Sequence, residues 1–181
     1  RGDNFIYFCY DNEGYMNTGV QRSGTTPIGA ITANTPFKGK LQPKKDVAAI
    51  MAAHRLSYVA TCSASYPLDL YDKILKCKDL PGTKYFHIHI PCPPGWGYDP
   101  RHGIRIGRLA VETGYYDLYE IINGEFRLTA ASEKLVEKRK LVPVRDYFRA
   151  QSRFKLLSDT QIDEIQKSID DKWAGYYSKD E

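Results

Sequence analysis

The sequence predicts an α/β protein built on an open, mostly parallel sheet, and three observations lead there. Short apolar runs alternate with stretches of helical periodicity, polar loops broken by Gly and Pro follow the first and third runs, and a hairpin signal appears only late in the chain. In such sheets ligands gather beyond the carboxyl ends of the strands, which is where both loops fall.

The first run, Phe5-Ile6-Tyr7-Phe8-Cys9-Tyr10, is continuously apolar and reads as a strand buried on both faces. Such a strand needs neighbours, and Arg1-Gly2-Asp3-Asn4 stands before it without an initiator Met, so the chain is expected to be a piece of a longer polypeptide. The loop Asp11 to Ser23 is too polar and too rich in glycine to continue the strand. From Ser23 to Lys40 the density of Gly, Pro and Thr predicts a long irregular segment, and long ordered loops are commonly functional. Asp46 caps a helix through about Arg55, a strand covers Ser57 to Thr61, and Leu68, Leu70, Tyr71, Ile74 and Leu75 recur at helical spacing between Pro67 and Lys78.

Lys84 to Ile90 forms the next strand and stops at Pro91-Cys92-Pro93-Pro94-Gly95-Trp96. A helix from Gly103 to Thr113 completes the unit. Beyond Tyr115 the character changes: Asn123-Gly124 between two short β-like runs marks a hairpin, and Ile162, Ile165, Ile169 and Trp173 lie on one face of a helix from Asp159 to about Tyr176. Residues 1–115 are expected to form the α/β domain, and 116–181 an extension packed on it or on a partner.

At 181 residues, with 42% hydrophobic and 13% aromatic side chains, the chain can bury a sizeable core. The 26 basic and 22 acidic residues leave a net charge of +4, with basic groups scattered among carboxylates, which argues against nucleic-acid binding. The densest basic run, Lys134 to Lys140, contains Glu137 and reads as a solvated segment. No apolar run is long enough to cross a bilayer. Cys9, Cys62, Cys77 and Cys92 form no Cys-x-x-Cys pair, a pattern expected of free thiols in a reducing cytoplasm.

Asp11 and Asn12 offer oxygen ligands and Gly14 an exposed carbonyl, a set suited to magnesium serving a phosphate-bearing ligand. Spacing alone favours the simpler reading, an Asx turn bonded to its own backbone. His87 and His89 share one strand face and lack a third ligand nearby, so they read as packed or hydrogen-bonded strand residues. His54 reads as a helix end, His102 as exposed, and Trp96, Tyr115 and Tyr116 as packing or subunit contacts.

The segment Tyr10 to Pro27 resembles the thiamine-diphosphate loop of the beta subunit of pyruvate:ferredoxin oxidoreductase, in the wider family of 2-oxoacid:ferredoxin oxidoreductases. The likeness continues through Gln42-Pro43-Lys44-Lys45-Asp46, Ala53-His54, Tyr58 to Thr61, Pro91 to Trp96, Ile106 to Gly114 and Gln151-Ser152-Arg153-Phe154, and so covers nearly the whole chain in order. The resemblance implies a sheet of the thiamine-diphosphate-binding type, incomplete at its amino end. It implies magnesium held by the Asn12 side chain and the Gly14 carbonyl, with Asp11 shaping the loop and a less certain contact. Asn17, Thr18 and Gly19 match the turn beside the cofactor's reactive ring, with Asn17 the polar contact to substrate, and Cys92 matches the last of four cysteines holding a [4Fe–4S] cluster. The family's Gly-Asp-Gly motif and the other three cluster cysteines belong upstream of Arg1.

The activity so implied is oxidative decarboxylation of a 2-oxoacid, pyruvate first, to an acyl-coenzyme A, with electrons passing to ferredoxin. The partners implied are alpha-type and gamma/delta-type subunits of one complex. Oxalate, phenylglyoxylate or NAD as acceptor are the nearer alternatives; a non-redox thiamine-diphosphate lyase and a non-catalytic scaffold chain are the remoter ones.

Overall fold

A computed structural model describes residues 3–178; Arg1 and Gly2, which open the sequence, and residues 179–181 lie outside those described. Three parallel strands form one side of a five-stranded sheet: β1 (Ile6–Asp11), β2 (Tyr58–Ser63) and β3 (Lys84–His89), with β3 in the middle. The predicted hairpin is β4 (Tyr119–Ile122) and β5 (Glu125–Leu128), and it does not stand apart. β4 pairs antiparallel with β2, so the sheet runs β1-β3-β2-β4-β5 and is mixed, with its parallel strands on one side.

The connections put a helix on each face. α1 (Val47–Ala53) begins where the Asp46 carboxylate accepts the Ala49 N–H, a side-chain cap for an otherwise unpaired donor. It covers Val59 and Tyr85 on one face, while α2 (Pro67–Cys77) sends Leu70, Ile74 and Cys77 onto Tyr58, Ala60, Phe86 and Ile88 on the other. A third cluster lies past the carboxyl ends of the strands. There α3 (Pro93–Trp96), α4 (Gly103–Glu112), α5 (Ala130–Lys138), α6 (Val144–Arg149) and α7 (Asp159–Tyr177) bury Trp96, Ile106, Leu109, Phe148, Phe154 and Trp173 together. α7 starts on a capping box between Ser158 and Gln161.

One expectation is corrected. β1 is not buried on both faces: it is an edge strand, and Tyr7 and Tyr10 are 54% and 70% exposed. Its apolar run matched the interior pattern, yet among the described residues only β3 pairs with it. The basic run is solvated as expected: Lys134, Glu137, Lys138, Arg139 and Lys140 are exposed, on and just past the outer side of α5, which buries Ser132 and Val136. Cys62 and Cys77 are buried free thiols, whereas Cys9 and Cys92 are only partly covered. No helix among the described residues is long and apolar enough to cross a membrane.

Candidate functional site

Register sets the site. β1 and β2 both align with β3 so that Asp11, Ser63 and His89 stand level at the carboxyl end of the parallel strands, and the Ile90 N–H closes the row on the Asp11 carbonyl. The loop after Asp11 leaves from this row. Asp11 is occupied within the chain: Oδ1 accepts the Glu13 N–H at 2.8 Å and the Thr25 hydroxyl at 2.7 Å, and Oδ2 meets His87 Nε2 at 2.9 Å and Lys44 Nζ at 3.0 Å. Burial alone would raise this carboxyl, but the His87 hydrogen bond and the Lys44 charge hold it far below the ordinary range.

Glu13 takes the left-handed backbone (φ 65°) that turns the chain, and its side chain runs inward, 2% exposed. Its carboxylate receives Lys44 Nζ at 2.7 Å on one oxygen and Arg153 Nη2 at 2.7 Å on the other. Burial opposes the charge, and the two cations overcome it, leaving the group at about 2. The Arg153 guanidinium carbon lies over the Trp96 indole, 3.8 Å from the ring centroid. His89 packs against both Trp96, tilted, and Tyr116, stacked, with ring centroids 5.3 and 4.7 Å away. Arg153, Trp96, His89 and Tyr116 thus touch in succession, and the Trp96 indole N–H ties them to the loop at Asn12.

That foundation leaves the loop's own donors free. The Asn12 carboxamide and the Gly14 carbonyl make no hydrogen bond within the described residues, although the Asn12 carbonyl is fixed by Trp96 Nε1 at 2.8 Å. Tyr15 and Gln21 exchange backbone hydrogen bonds, pinching off a turn that exposes Asn17, Thr18 and Gly19. Gly19 sits at φ 111°, a backbone open to glycine, and the Thr18 hydroxyl is tied to the Gln21 side chain. Cys92 stands at the N-cap of α3 with a free thiol. The Trp96 N–H bonds the Cys92 carbonyl at 2.9 Å while its indole N–H holds Asn12, so one residue joins the two loops. Met16 seals the seam: its thioether lies against Gly95, where an added Cβ would stand 2.2 Å from Sδ and 3.3 Å from Cys92 Sγ.

Among the described residues no three His, Cys, Asp or Glu side chains gather as a metal site. The free donors are of another kind, a neutral amide oxygen and a backbone carbonyl, which suit a hard cation that keeps water and shares a phosphate. Sequence reasoning passed over Glu13, Lys44, Trp96 and Arg153 as a supporting set. The signal was present, since Lys44 and Arg153 fall in the segments that carry the resemblance, but nothing local links residues 140 apart in the chain.

His89 is 1% exposed and neither ring nitrogen has a hydrogen-bond partner; its Nε2 lies 3.8 Å from Glu13 Oε1. Burial, only partly offset by Glu13, pushes its pKa down to about 4 from an ordinary 6.5. The unfolded chain therefore binds a proton first as pH falls, and folded-state stability drops between about pH 6.5 and 4, by up to about 3 kcal/mol. Urea midpoints measured from pH 7 to 4.5 are expected to fall in the native chain and to stay flatter in His89→Phe, which keeps a ring in the stack.

Strand-end loops with free oxygen atoms, seated on a buried ionic cluster and joined to a partly covered thiol, mark the candidate site of an open α/β chain. No family model matches it. Over 174 residues it is 49% identical to pyruvate synthase subunit PorB of Methanothermobacter marburgensis, covering 94% of this chain and 58% of that protein. It is 39% identical over 178 residues to ketoisovalerate oxidoreductase subunit VorB of Pyrococcus horikoshii, covering 96% and 56%. A solved 2-oxoglutarate:ferredoxin oxidoreductase from Magnetococcus marinus overlaps 51% of this chain and 31% of its own, at 27% identity and a TM-score of 0.48. The chain belongs to the family of the PorB and VorB subunits, and it spans a little under three fifths of their length.

Proposed function

We propose that this chain is the cofactor-gripping portion of the beta-type subunit of a 2-oxoacid oxidoreductase, acting on pyruvate. The observation that carries the reading is the loop after β1: an unbonded Asn12 amide and Gly14 carbonyl, held rigid from below and joined through Trp96 to Cys92, in a chain 49% identical to a pyruvate synthase subunit. The first of the two expected domains, 1–115, carries these loops, while β4, β5 and α5 to α7 complete the sheet and the packing beneath them.

Asn12 and Gly14 would hold the magnesium that anchors thiamine diphosphate, and Cys92 would supply one thiolate to a [4Fe–4S] cluster. When bound, these groups supply the nucleophilic carbon and electron sink for decarboxylation and the single-electron exit to ferredoxin, with the acyl group passing to coenzyme A. The residues themselves position and exclude. Asp11 keeps its oxygens for the loop and the Glu13–Arg153 pair stiffens the turn, so little ordering is left for the moment of binding. Asn17 stands exposed on that turn with its amide free to meet a substrate carboxylate or carbonyl, while Thr18 and Gly19 shape the turn around it. Alpha-type and gamma/delta-type subunits complete the complex.

Asn12→Ala, in the assembled complex, is expected to weaken magnesium-dependent thiamine-diphosphate binding by about tenfold or more, as loss of one metal-positioning group does. Unchanged retention measured by calorimetry would remove Asn12 from this role. A branched 2-oxoacid is the second reading, favoured by the 39% identity to the VorB subunit. Comparing kcat/KM for pyruvate and 2-ketoisovalerate decides between the two.

A further inference from the structure

The segment from Gly14 to Lys45 carries five cations, Arg22, Lys38, Lys40, Lys44 and Lys45, and no carboxylate. Lys44 is neutralised from outside the segment by Asp11 and Glu13, and the Lys40 ammonium is taken up by backbone carbonyls. Among the described residues the other three have no acidic partner: the Arg22 guanidinium meets only the Gln42 carboxamide, at 3.3 Å, and the Lys38 and Lys45 side chains bond nothing. Burial first, then the like charges of Arg22, Lys44 and Lys45, hold the Lys40 ammonium below its ordinary range, so these cations stand near enough to repel one another. A groove of about 320 Å³ opens on this face, lined by Arg22 and Lys38, the amides of Asn34 and Gln42, and the side chains of Phe37 and Leu41. Phe37 is 89% exposed and Leu41 65%. The backbone that presents them is ordered: the Thr35 and Gly39 N–H groups bond the Thr32 and Thr35 carbonyls at 3.0 and 3.2 Å, and the Lys40 N–H returns to Ala30. An aromatic ring held outward on a fixed backbone needs little further ordering to bind, which is how interface anchors work.

We propose that this groove docks a segment of another subunit of the same complex, one that sets a carboxylate against Arg22 and Lys38 and an apolar side chain against Phe37 and Leu41. The inference rests on the reading of this chain as one subunit among several, and on nothing about the cofactor. The unpaired positive charge fixes the sign of the partner, and a guanidinium can hold a carboxylate through two N–H groups at once. An apolar centre with charges paired at the rim is the ordinary anatomy of a protein interface. A second copy of this chain fits poorly, because a two-fold contact through this face would set Arg22 and Lys38 against their own like charges. A nucleic-acid strand needs a track of cations along its backbone, whereas the groove offers two beside apolar walls.

The test uses the assembled complex. Zero-length carbodiimide coupling read by peptide mass spectrometry is expected to join Lys38 to an Asp or Glu of a different subunit, and a product joining Lys38 to a second copy of this chain overturns the inference. Dilution followed by native mass spectrometry gives a second readout. Phe37→Ala and Lys38→Glu are each expected to raise the concentration at which that subunit dissociates by about tenfold or more, as loss of an interface anchor does. The Lys38→Glu effect is expected to be larger at low salt than at high. Both side chains are exposed, so neither substitution touches the core. Dissociation unchanged within about twofold in both variants overturns the inference, whatever the coupling yields. Nucleic acid that accompanies the native complex and is lost in Lys38→Glu would assign the groove to it and overturn the inference as well. A native preparation in which this chain carries no other subunit would instead overturn the functional reading itself.

Discussion

Glu13→Ala is expected to destabilise the folded chain by about 3–5 kcal/mol, the usual cost of removing one partner from a buried ionic set. Two cations converge on this carboxylate, and Arg153 is itself buried against Trp96. After the substitution Lys44 keeps Asp11, but Arg153 retains only neutral acceptors, Gln151 Oε1 and the Tyr147 hydroxyl. An unpaired guanidinium then sits beside His89, which burial already keeps from accepting a proton. The backbone offers a control: at φ 65°, Glu13→Gly loses the same charge yet relieves about 1 kcal/mol of left-handed strain. Urea unfolding at pH 7 is expected to rank native above Glu13→Gly above Glu13→Ala, with unchanged slopes. A loss under about 1 kcal/mol in both variants would mean that the cluster contributes order and not stability.

The acid behaviour of this cluster separates its members. Glu13 is held at about 2 against an ordinary 4.5, so its contribution is complete above about pH 4.5 and lost as pH falls toward 2. The loss between pH 6.5 and 4.5 therefore belongs to His89.

The elements with clear periodicity were legible in the sequence: three strands, α1, α2, α4, α7 and the Asn123-Gly124 hairpin stand within a residue or two of their expected places. What failed had physical causes. α5 buries only Ser132 and Val136 of its nine residues, too sparse a stripe to outweigh the lysines around it, and α6 is six residues long, held by Val144, Tyr147 and Phe148 against other helices. Exposure of Tyr7 and Tyr10 follows from the position of β1 at the sheet edge, which no local pattern encodes. In the site, Asn12, Gly14 and Cys92 were reached through resemblance, since neither spacing nor composition favours them over a plain turn and a plain thiol. Glu13, Lys44 and Arg153 needed coordinates, because charges far apart along the chain become partners only when the fold brings them together.

Gly39→Ala is expected to cost about 3 kcal/mol or more and to lower Tm by roughly 6–12 °C. Gly39 sits at φ 66°, and a Cβ there would lie 2.3 Å from the Gly29 carbonyl oxygen and 2.6 Å from its carbon. These are backbone atoms, so no rotamer can yield. The close approach exists because the Gly29 N–H bonds the Lys40 carbonyl at 2.7 Å and the Lys40 N–H bonds the Ala30 carbonyl at 3.0 Å, drawing the two ends of the long loop together. Lys40 then turns its ammonium into the loop, onto the carbonyls of Gly24, Thr26 and Pro43. Thr26 in turn donates its hydroxyl to the Glu13 carbonyl at 2.7 Å. Strain at Gly39 thus reaches the turn that presents Asn12 and Gly14. Gly124→Ala isolates the cause, since Gly124 has φ 91° and nothing within 4 Å of an added Cβ. It incurs the conformational cost alone, so equal melting losses in the two variants would mean that the Gly29–Gly39 approach relaxes freely and the loop is not braced there.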